Sequence, residues 1–182
     1  MPGVPNTPQT FNLGSGFKFQ GGGGGPGGLK LEHRIGVNAP AEVIWESIYD
    51  LASWADWNPI YPKVEGAVRI GDTLTITQAL PGDQPRVIRP VVLDWVPNDQ
   101  LHWRDKRFGG LVRSIRYIEI ETLGEENCIF SNGELFSGPL VSFIAGHRGR
   151  RLRRGFAQMG EALKARAEAA WRARGGQPTS GA

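Results

Sequence analysis

The stretch "RYIEIETLGEENCIFSNGELF", residues 116–136, sets an arginine and a glutamate where an alternating hairpin should bury apolar groups. Leu-Gly-Glu-Glu-Asn is its turn signal, and centring the turn near Glu125 opposes residues whose numbers sum to about 250. Arg116 then faces Glu134, Ile118 faces Asn132 and Ile120 faces Phe130, and opposed side chains share a face of the sheet. Extended to Phe136, that face is the more apolar one; Tyr117, Glu119, Glu121, Ile129 and Ser131 suit solvent better. Centring the preceding hairpin near Phe108 and Gly109 adds Leu101 and Trp103 to the Arg116 face. Burying either charge alone is costly, so the pattern predicts a cross-strand Arg116–Glu134 ion pair. Such a pair has two uses. It can satisfy itself and fix the register, or Arg116 can donate to a carboxylate, phosphate or carbonyl of a ligand that Glu134 helps to orient. If there is acid–base chemistry, Glu134 is the candidate base and Arg116 the oxyanion stabiliser.

Other reactive groups form poorer constellations. Cys128 shares parity with Glu134 but has no histidine in the adjacent register, which argues against a Cys–His nucleophile. His33 lies on an expected inward position, where a lone histidine reads as core, and His102 is expected to face outward beside Trp103. Three histidines and one cysteine give no zinc spacing, so neither a metal nor a cofactor is expected. A single cysteine also excludes an internal disulfide and suits a reducing compartment. In "DWNPIYP", Trp57, Asn58 and Tyr61 are expected at the mouth of an internal space, whereas Trp45 and Trp54 read as packing. The densest charge is "HRGRRLRRG", residues 147–155, with five arginines. It reads as a solvated helix face, with contact to anionic lipid headgroups or RNA as the rival. No aromatics interleave these arginines as a nucleic-acid stacking surface requires.

The elements that must position these groups follow from periodicity. The chain's 182 residues, 40% hydrophobic and 21% charged, suit one globular domain, and a net charge of +3 does not by itself imply a nucleic-acid partner. Neither a secretory signal nor a membrane-crossing run of about 20 apolar residues is evident, and a cytoplasmic location is expected. Residues 1–28 end in "GGGGGPGG" and are expected to form a disordered tail, with Phe11, Phe17 and Phe19 as weak docking points. Residues 29–174 are expected to fold, and 175–182 to fray. Leu29 to Val37 alternates as a strand. Asn38 is the expected helix N-cap, with Pro40 in the first turn, before "AEVIWESIYDL" and a short second helix in "ASWADWNPIYP". Six strands separated by turn signals are expected between residues 62 and 136. From about Leu140 to Arg174, Phe143, Ile144, Leu152, Phe156, Met159, Leu163 and Trp171 mark one helical stripe, with a kink expected near Gly149. The fold class is α+β: a curved antiparallel sheet of about seven strands around a long C-terminal helix. A space between the two is the default ligand site.

From about Leu29 to Ala170 the chain resembles the polyketide cyclase/dehydrase and lipid-transport superfamily, which has the START and birch-pollen-allergen helix-grip fold. The resemblance is carried by "VNAPAEVIWESIYDLASWADWNPIYPKVEG", "VVLDWVPNDQLHWR", "IEIETLGEENCIFSNGELFSGPL" and "GFAQMGEALKARAEA". It implies a deep, largely apolar cavity for a small hydrophobic or amphipathic molecule of lipid, polyketide or aromatic type. Trp57, Asn58, Tyr61, Trp103, Arg116 and Ile118 are its expected lining on one side. Phe130, Asn132, Glu134, Phe136, Phe156 and Met159 complete it. Superfamily members include carriers, sensors and cyclases, so the fold does not choose the role. A ligand-binding protein is the first reading and a cyclase- or dehydratase-like enzyme using Glu134 and Arg116 the second. A membrane- or RNA-associated module using the 148–154 arginines is the third. A small hydrophobic molecule is the expected partner, peripheral membrane contact is allowed, no stable nucleic-acid partner is expected, and oligomeric state is left open.

Overall fold

The computed structural model describes residues 9–13, 17–21 and 28–176. Strand β1 (Gln9–Leu13) pairs antiparallel with β2 (Phe17–Gly21) as a sheet of two. The sequence predicts a tail here; Thr-Phe-Asn-Leu and Phe-Lys-Phe-Gln do alternate, but the neighbouring glycines obscure it. The glycine run itself, the side chains of Phe11, Phe17 and Phe19, and residues 177–182 of the expected C-terminal tail lie outside the described residues.

Strand β3 (Gly28–Val37) leads into α1 (Ala41–Tyr49), whose buried face is Val43, Ile44, Ser47 and Ile48. Pro40, not Asn38, holds the N-cap position. A residue preceding proline is pushed out of the helical region, so the helix cannot start before Pro40. The backbone N–H of Asn38 donates instead to Glu168 Oε1 at 2.9 Å. A 3-10 turn (Leu51–Ser53) and α2 (Trp54–Trp57) close this region.

A five-stranded antiparallel sheet runs in the order β3-β10-β9-β8-β7, with β7 (Val91–Val96), β8 (Gln100–Arg107), β9 (Val112–Gly124) and β10 (Asn127–Ser137). A three-stranded sheet holds β4 (Lys63–Glu65), β5 (Thr75–Gln78) and β6 (Arg86–Ile88). Among the described residues from 28 to 176 there are eight strands, not about seven. "VIRPVVLDWV" is two of them, because Pro90 has no N–H to give a ladder. The sheets are stitched across that break: Leu74 N–H donates to the Pro90 carbonyl and Val92 N–H to the Asp72 carbonyl, both at 2.9 Å.

The central register is the one the hairpin spacing predicts. Glu134 opposes Arg116, Asn132 opposes Ile118 and Phe130 opposes Ile120, and Trp103 pairs with Arg116 on the other side. His33 is directly opposite Asn132, which puts it on the inner face. A shift between Asn127 and Cys128 falls at the hairpin tip and leaves the rest in phase. On the outer face Gly133 lies under the ring of Tyr117, where any Cβ would collide with the Tyr117 hydroxyl. That hydroxyl donates to Glu32 Oε2 at 2.6 Å.

The C-terminal region splits into α3 (Ser142–Ala145) and α4 (His147–Ala173). The break is at Gly146 (ψ −124°), three residues before the expected Gly149. Gly149 serves another purpose, since a Cβ there would come within 2.9 Å of the Ile144 carbonyl oxygen. Helix α4 packs against β3, β10 and α1 and buries Leu152, Phe156, Met159 and Leu163. Among the described residues no helix is long and apolar enough to cross a membrane.

Candidate binding site

Arg116 is 2% exposed and stands midway along the inner face, under α4. A guanidinium has five N–H donors, and here all are engaged. Nε donates to the Tyr61 hydroxyl (3.1 Å), Nη1 to the Tyr117 and Gly133 carbonyls (2.8 and 2.9 Å), and Nη2 to Asn132 Oδ1 and Met159 Sδ (2.9 and 3.4 Å). Its carbon lies 4.2 Å from the Phe156 ring centroid, a cation–π contact made in a desolvated setting. Asn132 is fixed in turn, its Nδ2 donating to the Phe156 carbonyl at 3.2 Å. The expected Arg116–Glu134 ion pair is therefore corrected. The two residues oppose each other, but Arg116 is held by neutral acceptors from four parts of the chain and has no donor left for Glu134 or a ligand. At this level the space between sheet and helix is filled.

Glu134 turns to the next layer of the same face. Parity carries the inner side of β8 from Trp103 to Asp105 and Arg107, and Asp105 opposes Ser114 on β9. Arg107 Nη2 donates to Glu134 Oε1 at 3.4 Å and Arg107 Nε to Asp105 Oδ2 at 2.9 Å, over the ring of Phe136. Burial works against the Arg107 charge, but Glu134 and Asp105 more than offset it, holding its pKa above the ordinary value. Two more arginines enter this corner. Arg86 of β6, tied to the neutral Gln78 Oε1 by Nε at 3.0 Å, is pushed down to about 10 by burial and then by Arg107 and Arg148. Arg148, in the first turn of α4, is lowered by burial and then by Arg107. Five buried atoms here have no hydrogen-bond partner among the described residues: Glu134 Oε2, Arg107 Nη1, Arg148 Nε and Nη2, and Ser114 Oγ. Unsatisfied buried polar groups are rare in folded chains and call for an explanation.

The other expected lining residues divide. Trp103, Ile118, Phe130, Phe136, Phe156 and Met159 are all inner-face or helix residues buried in the core. Asn58 and Tyr61 are not at an open mouth: both are buried. Asn58 Oδ1 accepts the backbone N–H groups of Ile60 and Tyr61 (3.2 Å each), closing its own turn. Tyr61 stacks on Trp54 at 5.8 Å and lies edge-on to Trp103 at 6.1 Å. Trp57 is half-buried against this group with Nε1 unpartnered. Trp45 stacks on Trp95 at the far end of the sheet. His33 is half-buried, with Nδ1 buried and unpartnered, and His102 faces the outer side, 3.1 Å from Glu119. Cys128 is buried, which pushes its thiol pKa up. Of the five clustered arginines, Arg148 and Arg151 reach Asp83 (4.0 and 3.5 Å), Arg150 meets His147, and Arg153 and Arg154 are exposed.

Sequence reasoning overlooks Arg107, Asp105, Ser114, Arg86 and Arg148 as neighbours of Glu134. Alternation from Trp103 puts residues 105 and 107 on the inner face, yet "RDKRF" reads as a polar hairpin end. Nothing local links Arg86 or Arg148 to this corner, because only the tertiary closure of β6 and α4 brings them in.

A family model described as polyketide cyclase / dehydrase and lipid transport matches residues 28–168. Among solved structures, the ZhuI aromatase/cyclase of Streptomyces sp. R1128 superposes with a TM-score of 0.65 at 21% identity, over 82% of this chain and 99% of that one. A norcoclaurine synthase point mutant of Thalictrum flavum, in complex with a transition-state analogue, gives 0.62 at 18% identity over 79% and 96%. A second structure of that synthase, with dopamine and hydroxybenzaldehyde, gives 0.59 at 18% over 80% and 87%. At such identities the likeness is one of fold. Comparison with curated protein sequences gave no match.

Proposed function

We infer that this chain, which belongs to the polyketide cyclase/dehydrase and lipid-transport family, binds a small amphipathic molecule between its sheet and α4, with the polar end at the Glu134–Arg107 corner. The observation that carries this reading is Glu134: 2% exposed, with one carboxylate oxygen on Arg107 and the other, Oε2, on nothing. A binding site holds a few polar groups in an apolar wall; here the wall is Phe136 and its neighbours. The norcoclaurine synthase structure with dopamine and hydroxybenzaldehyde supports small aromatic molecules as a class to try. Native mass spectrometry of the gently purified protein is the test. A co-purifying mass of roughly a few hundred daltons, lost in Phe136→Asp, supports the reading; bare protein under all gentle conditions counts against it.

One feature favours a second reading, a cyclase- or dehydratase-like enzyme. Glu134 Oε2 is free to take a proton, and Arg107, not Arg116, lies next to it to stabilise a developing oxyanion. Glu134→Gln separates the two. A carrier retains the co-purified molecule unchanged in mass, whereas an enzyme binds it and loses turnover.

A further inference from the structure

We propose that the corner formed by Arg107, Arg148 and Arg86 is a receptor for an anionic oxygen group, a carboxylate or phosphate, borne by the bound molecule. This deepens the binding role proposed above and rests on it.

Several charged donors in this corner have no acceptor. Arg107 Nη1 and Arg148 Nε and Nη2 are buried without a partner, and the Arg107 side chain is only 10% exposed. Unpaired donors on a charged group cost more than neutral ones. The local acids leave these donors unmet: Asp105 takes Arg107 Nε, Asp83 is shared by Arg148 and Arg151, and Glu134 takes Arg107 Nη2 through Oε1 while its Oε2 meets none of them. Arg86 is held by a neutral amide. Three guanidinium groups from β6, β8 and α4 thus repel one another in one partly dry corner, and burial first, then this repulsion, lowers the pKa of Arg86 and Arg148. Arg148 also lies in the first turn of a 27-residue helix, the positive end of its macrodipole. An oxyanion would accept from the unpartnered donors, Arg107 Nη1 and Arg148 Nε and Nη2, with Arg86 adding its charge, and arginine forks suit carboxylate and phosphate geometry. Phe136, beneath Arg107, then meets the apolar body of the same molecule.

The probes are inorganic phosphate and acetate, titrated against chloride at constant ionic strength, with the melting temperature and calorimetric heat as readouts. Nile red, neutral and apolar, reports the apolar part separately. Either anion should stabilise the protein saturably. Arg148→Gln and Arg107→Gln should each weaken that anion at least roughly tenfold, as expected for loss of a charge-assisted donor pair. Glu134→Gln should tighten it roughly fivefold by removing a neighbouring negative charge. Stabilisation by neither anion, or an equal response in Arg148→Gln, overturns the proposal. Nile red binding that persists in that event leaves the binding role standing, and its absence from the wild type counts against that role instead. Co-sedimentation with phosphatidate-containing vesicles, abolished by Arg148→Gln, assigns the anion to a lipid head; a response to soluble phosphate without co-sedimentation assigns it to a soluble molecule. Both support the receptor.

Discussion

Arg116 and Glu134 lie side by side on one face yet belong to separate networks, and a double-mutant cycle distinguishes that from the ion pair the alternation suggests. Coupling between Arg107 and Glu134 should be about 1–3 kcal/mol, and between Arg116 and Glu134 below about 0.5 kcal/mol, read from urea midpoints. Arg116→Met strands the Asn132 oxygen, the Tyr61 hydroxyl and two carbonyls, and should cost about 2–5 kcal/mol. Arg116→Lys should recover little, since an ammonium brings three donors where five are used. Across the sheet, Glu32 titrates below its ordinary 4.5: burial pushes it up, but hydrogen bonds from Lys30 and Tyr117 and nearby positive charge push it down harder. A carboxyl depressed on folding adds stability above its unfolded pKa and loses it as pH falls through the folded one. Tyr117→Phe should therefore cost about 0.5–1 kcal/mol at neutral pH, limited by the partial exposure of Glu32. That cost should shrink below pH 4.5, which urea denaturation at neutral and acid pH will read.

Helix α4 must approach β3 closely, and Gly160 is where it does. A Cβ at Gly160 would lie 2.7 Å from His33 Nδ1 and 3.4 Å from Ile35 Cγ2. Gly160→Ala improves helix propensity by about 1 kcal/mol, yet overpacking against the half-buried His33 ring should outweigh that and leave a net loss of about 1 kcal/mol. His33→Ala in the same chain should restore the loss, as compared by thermal melts. The elements themselves were unevenly legible. Strands β9 and β10 and their register follow from one turn signal and simple alternation, because a two-residue period leaves no freedom once the turn is placed. The α4 boundary does not: the sequence places the break near Gly149, and only packing shows that the break is at Gly146 and that Gly149 is needed for its lack of a side chain. Pro90 was a visible warning that one run would become two strands. The Glu134 corner needed more, since three of its arginines come from elements far apart in sequence.

For the whole molecule, alternation, one helical stripe and the turn signals carry the helix-grip architecture, because these are properties of the chain itself. Which polar atoms end up without partners is a property of the closed structure and cannot be read beforehand. Arg116 also bears on how the chain closes. Its acceptors come from the segment after α2, from β9 and β10, and from α4. Guanidinium groups stay charged at any working pH, so the last water can leave Arg116 only when all these parts have arrived. A half-satisfied polar network is worse than none, so intermediates with α4 undocked gain nothing by drying. Tryptophan fluorescence and far-UV circular dichroism should then report coincident urea transitions, and Arg116→Met should pull them apart. The buried cation thus acts as an assembly checkpoint: it delays collapse of the interior until sheet and helix are both in place.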